Sequence, residues 1–447
     1  MTTDNRTTAT AEGSSLQTRL KERFFRYAAI ESQSNARVEA VPSSPGQWDL
    51  AKLLVHDLEE LGLLNIHLSE SCVVTAYLPS NLPESLAVSA QDQGQVDAKS
   101  RAQVPKIGWV CHLDTVDVAL SPEVHPVFVP HYQGGDICQN EDKQIYISAA
   151  DHPELKDCIS QDLIVSDGTS VLGADNKAAI ANIMCALEYL NQHPDFLHGD
   201  IYVAFVPDEE IGLRGARKLD LEKFPVDFAY TIDCCALGEV VYETFNAGSG
   251  QLTVKGVTAH PMSSKNQLVN PVLVAVDFIN LLNRAETPEH TEGREGYIWV
   301  TDFHADVLNC QVSLNIRDHS KEGYEAKKAY LQEALKMTKL KHPKAELDLH
   351  LEDVYGNIAD AITDQNRQCL DNLYVALEEL GIPAKTIAMR GGTDGSYLSS
   401  CGLPTPNYFT GALNFHSRCE FMPLKSVEMS CLTTLKLMEI AVRQAKN

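Results

Sequence analysis

The run Val206-Pro207-Asp208-Glu209-Glu210-Ile211-Gly212 sets three carboxylates side by side. Before it lies Asp200-Ile201-Tyr202-Val203-Ala204-Phe205, whose β-branched and aromatic residues read as a buried strand. Pro207 brings no N–H and ends the ladder. The acids therefore stand at a strand's carboxyl end, where open α/β sheets bind their ligands. Neighbouring carboxylates repel one another, and a divalent cation is the strongest counter-charge available. Taken alone, the same residues would also make a solvated acidic turn.

Two more apolar strands end in the same way. Lys106-Ile107-Gly108-Trp109-Val110-Cys111 runs into His112-Leu113-Asp114, and Phe228-Ala229-Tyr230-Thr231-Ile232 ends at Asp233. His112 and Asp114 are two apart, so in extended chain they share a face. An Asp that takes the second ring N–H of a metal-bound His fixes its tautomer; a polar loop is the plainer alternative. Leu172-Gly173-Ala174-Asp175-Asn176-Lys177 opens a helix whose face is Ile180, Ile183, Met184, Leu187 and Leu190. Asp175 there either caps the helix or bridges metals. His416, in Asn414-Phe415-His416, is distant in sequence but available if the two chain ends build one domain. Three strands each delivering a nitrogen or oxygen ligand at its carboxyl end is hard to explain as coincidence.

The rest of the chain must position these groups. With 447 residues there is room for two or more full cores. A net charge of −24 argues against nucleic acid and anionic membranes as partners. No apolar run reaches the ~18 residues of a membrane span. Residues 1–15 are polar, lack the apolar core of a secretory signal and read as a disordered tail. Twelve cysteines show no CxxC pair, which suits reduced cysteines in a cytoplasmic protein and supports no disulfide frame or Cys₄ zinc site.

Residues 16–30 and the stretch opened by Ser44-Pro45 read as helices, and 66–78 as one or two strands. Residues 79–105 read as a surface insertion, and 131–161 as irregular chain. From 238 the texture changes. Strands at 240–245, 251–257, 307–316 and 346–354 alternate with helices at 269–282 and 322–337. That order predicts a small α+β sandwich of ferredoxin-like type, two helices on one sheet face, over 241–360. A helix over 361–380, a strand at 406–409 and a helix over 424–442 return the chain to the first domain, which therefore comprises 16–240 and 361–447.

Together, His112-Leu113-Asp114-Thr115, Gly173-Ala174-Asp175-Asn176-Lys177, Glu209-Glu210-Ile211-Gly212, Thr231-Ile232-Asp233 and Asn414-Phe415-His416 resemble the co-catalytic zinc peptidases related to carboxypeptidase G. Arg390-Gly391-Gly392-Thr393-Asp394-Gly395, Ile316-Arg317-Asp318, Phe245-Asn246-Ala247, Thr291-Glu292-Gly293 and Glu295-Gly296 narrow the resemblance to the tripeptide aminopeptidases among them. It covers nearly everything after residue 16 except the 79–105 insertion.

The resemblance implies an α/β catalytic domain with a mixed central sheet flanked by helices, and the smaller inserted domain as a lid. It implies two Zn²⁺ ions, one held by His112, Asp175 and Asp233 and the other by Asp175, Glu210 and His416. Glu209 would be the general base and Asp114 would orient His112. His260, in Thr258-Ala259-His260-Pro261, would stabilise the oxyanion in its own or a dimer partner's site. Arg317 and Arg390 would grip a peptide carboxylate, with a structural ion pair as the alternative for each. The expected activity is removal of the N-terminal residue from short peptides, above all tripeptides. A dipeptidase, an N-acyl amino acid hydrolase and a non-catalytic binding protein on the same fold are the alternatives. Asn176, Met262-Ser263-Ser264 and Cys234-Cys235 depart from the family's usual residues but remove none of these ligands.

Overall fold

The computed structural model describes residues 6–83 and 104–445. Most of the expected 79–105 insertion, and residues 1–5 of the expected tail, lie outside the described residues. The first helix, Arg6–Ala28, takes in residues 6–15, so this part of the tail continues the helix. Leu20, Phe24 and Tyr27 at its spacing of three and four are fully buried.

The large sheet has eight strands, in the order Leu64–Leu68, Val74–Leu78, Ile201–Val206, Ile107–His112, Phe228–Cys234, Asn407–Phe409, Glu239–Glu243, Lys385–Ala388. The three apolar strands recognised in the sequence are adjacent and parallel, as strands covered on both faces should be. Val110 stands opposite both Ala204 and Thr231. That register puts His112, the residues after Val206, and Asp233 at one edge of the sheet.

The larger core fills one face. Phe24, Leu54, Trp109, Ile180, Tyr230 and Leu437 all belong to it, so both chain ends and the middle build one body. A smaller cluster on the other face packs Val110, Ala204, Val206 and Ala229 against Leu398 of the helix Asp394–Ser400.

The second sheet has four antiparallel strands in the order Tyr297–Ala305, Asn309–Asp318, Asn246–Lys255, Glu346–Tyr355. Leu252, Val254, Val312 and Leu314 pack against Val274 and Phe278 of the helix Pro271–Ile279 and Leu331 and Leu335 of Lys321–Lys341. One face is thus covered by two helices.

Several elements differ from the sequence reading. The edge strand Tyr297–Ala305 was not foreseen, because most of its residues are exposed and give no apolar alternation. Glu239–Glu243, which a boundary at 241 would cut, pairs inside the large sheet, so the small sheet begins at Asn246. The helix expected over 361–380 is two pieces, Ile358–Ala361 and Gln368–Glu379. Between them the Asn366 side chain donates to the Ala361 carbonyl and accepts from Thr363 N–H, taking over bonds a helix would use. The polar region 131–161 is not irregular throughout: Ile137–Asn140 and Ile145–Ile147 form a hairpin. Strands of three and four residues are too short to show a period.

Candidate metal centre

The parallel strands deliver their end residues to one cluster. His112 Nε2 lies 2.9 Å from Asp175 Oδ1 and 3.7 Å from Asp233 Oδ1. His416 Nε2 lies 3.0 Å from both Asp175 Oδ2 and Glu210 Oε1. The ligand atoms of His112, Asp175 and Asp233 lie within 4.8 Å of one another, and so do those of Asp175, Glu210 and His416. Asp175 belongs to both triads through different oxygens. It does not cap its helix: Gly173, at φ 70°, occupies that position without a side-chain bond. The Asp175 and Asn176 backbones are non-helical, which turns the Asp175 carboxylate towards both histidines.

Asp114 is fully buried and serves two neighbours at once. Its carbonyl lies 3.0 Å from His112 Nδ1 and its Oδ1 3.4 Å away. The same carboxylate accepts from Glu209 N–H at 3.0 Å and Glu210 N–H at 3.2 Å. One residue therefore fixes both the imidazole and the acid pair.

Electrostatics test whether cations fit here. Burial, then repulsion from Asp175, pushes Glu210 up to about 7 and Asp233 up to about 6. Burial drives Glu209 well above the usual carboxylate range, against the pull of His112. Glu210 Oε1 is buried and has no hydrogen-bond donor, although His416 Nε2 is 3.0 Å away. Two ligand atoms so close yet misaligned for a hydrogen bond can share a position between them. Imidazole nitrogens and carboxylate oxygens in this number suit divalent ions, and such ions supply the missing counter-charge.

The two adjacent glutamates differ. Glu210 faces His416, whereas the buried Glu209 carboxylate makes no hydrogen bond or ion pair among the described residues, although one of its oxygens lies within 4.8 Å of ligand atoms of His112 and Glu210.

Several contributors were missed in the sequence. Asp208, third member of the acidic run, sits at φ 56° and accepts from Ser43 N, Ser43 Oγ and Gln47 Nε2 at 2.6–2.7 Å. It bolts the acid pair to the 43–47 segment. Glu420 accepts from Leu172, Gly173 and Asp175 N–H and so holds the turn that presents Asp175. Asn176 Nδ2 donates to Ile232 O at 2.7 Å and to Asp233 Oδ1 at 3.1 Å, which an Asp there could not do. Lys177 is fully buried and donates to Ile30 O at 2.6 Å. None of these pairings is local, so no sequence window carried a signal for them.

Three expected residues stand apart from the cluster. His260 is exposed on the small domain, its Nδ1 accepting from Met262 N–H; among the described residues it makes no hydrogen bond or ion pair with the metal-facing groups of its own chain. Arg390 donates to the carbonyls of Gly293 and Glu295 and to Thr291 Oγ1, and stacks on Phe245 and Tyr297. Its guanidinium straps the 291–295 loop. Arg317 donates to Gly248 O and Ile316 O and lies over Tyr355.

A sheet whose parallel strands end in two histidine–carboxylate triads, beside a separate α+β unit, defines a metal-dependent hydrolase. Residues 242–343 match a family model described as a peptidase dimerisation domain, and 158–273 one described as M42 glutamyl aminopeptidase. A peptidase T-like protein of Yersinia pestis is 49% identical over 92% of this chain and 95% of its own. Peptidase T of Fusobacterium nucleatum is 39% identical over 94% of this chain and 97% of its own. Among solved structures, a tripeptidase from Staphylococcus aureus superposes with a TM-score of 0.70 at 22% identity, covering 96% of this chain and 99% of that one. The chain belongs to the peptidase T family.

Proposed function

We propose that the protein is a two-zinc aminopeptidase that removes the N-terminal residue from tripeptides in the cytoplasm. The observation that carries the reading is Asp175, whose Oδ1 faces His112 and whose Oδ2 faces His416. A single carboxylate serving two triads is the arrangement a pair of ions requires. The relatives named peptidase T and the fold of a tripeptidase support peptides, and tripeptides among them, as substrates. Twelve free cysteines support a reducing compartment.

In this reading His112, Asp175 and Asp233 hold one ion and Asp175, Glu210 and His416 the other. When bound, the ions lower the pKa of a water and polarise the scissile carbonyl. Glu209 takes the water's proton and hands it to the leaving amine. With no hydrogen-bond or ion-pair partner among the described residues its carboxylate is free to do so, and Asp114 fixes it through its N–H. Glu210, occupied with His416, takes no part in proton transfer, so adjacent identical side chains divide the work. Arg317 binds the peptide's carboxylate. Arg390, already engaged by the 291–295 loop, supports that region of the cleft from behind. The small domain closes over the substrate and excludes water.

Free alanine release from trialanine, dialanine and N-acetyl-trialanine tests the specificity. Trialanine alone is expected to be cleaved. Equal cleavage of dialanine would make the protein a dipeptidase, and release of acetate from the acetylated peptide, followed in a separate assay, would make it an acylase.

His260 acts on a partner's site in a homodimer formed through the small domain, which the dimerisation-domain match supports. His260→Ala is then expected to lose ~10²–10³ in kcat with its metal intact, as loss of an oxyanion donor does. Mixing it with Glu209→Gln under subunit exchange should restore about a quarter of the wild-type rate, because half of randomly formed dimers carry one complete site. A near-normal rate for His260→Ala, or no recovery on mixing, would count against this arrangement.

A further inference from the structure

A tripeptide enzyme needs a group that senses where the peptide ends. Four residues stand opposite one another across the end of the small sheet: Tyr297 to Arg317, Arg317 to Ala247, and Ala247 to Tyr355. Arg317 alternates with Ile316 and Leu314, which join the core under the helices. The row therefore stands on the helix-free face. Ala247 is its one small member. Its methyl leaves a gap across which the Arg317 guanidinium reaches the Tyr355 ring, 5.7 Å from the centroid.

Arg317 is held but not neutralised. Its backbone bonds, both from Nη1 at 2.9 Å, go to the carbonyls of Gly248 and Ile316, and among the described residues it has no carboxylate partner. A partly buried cation without a counter-ion fits an anionic ligand. Tyr355 also closes on the other side. It packs against Gly392 so tightly that a Cβ there would lie 2.4 Å from its Cζ. Burial pushes the phenol up, and the phenol lies beside Arg317 and in the field of Glu209. Tyr355 thus joins the arginine of the small sheet to the glycine loop of the catalytic domain.

We propose that Tyr355 is a specificity-determining residue, its hydroxyl donating, beside the Arg317 fork, to the free C-terminal carboxylate of a short peptide. This rests on the aminopeptidase reading above. The side chain replaces Arg390 as the second donor of the pair, since Arg390 spends its N–H groups on the 291–295 loop. A site built around a hydroxyl and a guanidinium discriminates against a ligand that lacks the charge.

The test compares trialanine with trialanine amide in wild type, Tyr355→Phe and Gly392→Ala. Wild type is expected to favour the free acid strongly. Tyr355→Phe should raise KM for trialanine about tenfold or more, the worth of one hydrogen bond to a charged group. Its kcat, metal content and amide kinetics should stay close to wild type. Gly392→Ala, which displaces the ring, should move KM in the same direction and confirms the result by an independent route. An unchanged acid-to-amide ratio in Tyr355→Phe, or equal losses on both peptides, overturns the proposal. Failure of wild type to cleave trialanine would instead overturn the aminopeptidase reading, so the two failures are distinguishable.

Discussion

Glu209→Gln is expected to bind two metal ions per chain and to turn over ~10²–10⁴-fold more slowly, the range for losing a positioned general base. Gln matches Glu in shape but cannot accept and carry a proton. The Glu209 N–H bond to Asp114 is a backbone contact and survives the change. No metal triad proposed here loses a member, because the two triads use His112, Asp175, Asp233, Glu210 and His416. Burying an ionisable group without a partner is costly, and the Glu209 carboxylate has none among the described residues. The neutral variant should therefore melt no lower than wild type in the absence of metal. Kinetics, elemental analysis and a thermal melt on one preparation decide the matter. A near-normal rate would return Glu209 to the status of a buried acid, and loss of metal would make it a ligand.

Asp175→Ala is expected to lose both ions and activity together. Asp175 is the one residue common to the two triads, so its removal leaves two protein ligands at each position. The rate should fall by at least ~10³, since the ions contribute several kcal/mol of transition-state stabilisation. The backbone should hold, because Glu420 grips the turn through the N–H groups of Leu172, Gly173 and Asp175 and needs no side chain there. Circular dichroism and metal per chain separate this outcome from unfolding. Unchanged stoichiometry in a folded variant would mean that Asp175 bridges nothing.

The features readable in the sequence were those that local pattern controls. His112, Glu209, Glu210 and Asp233 each follow an apolar run, and a strand's end is where such a run stops. The α+β character of the second unit followed from alternating periods of two and 3.6 residues. What was not readable depends on partners far along the chain. Asp208 looks identical to its neighbours until Ser43 and Gln47 claim its oxygens. Asp175 suits a cap as well as a bridge, and the non-helical backbone at 175–176, with Gly173 in the cap position, removes the cap. Arg390 suits carboxylate binding until the Gly293 and Glu295 carbonyls take its N–H groups. The edge strand Tyr297–Ala305 hid because an exposed strand needs no apolar face. The boundary at 241 missed because Glu239–Glu243 and Asn246–Lys255 are consecutive strands in different sheets.

The most direct test of the central claim is metal content measured on the same sample as trialanine cleavage, before and after exhaustive chelation. The account predicts two ions per chain as isolated. It predicts no cleavage by the chelated protein, and recovery of cleavage as Zn²⁺ is returned towards two equivalents. Cleavage that persists at the wild-type rate in the metal-free protein would contradict it.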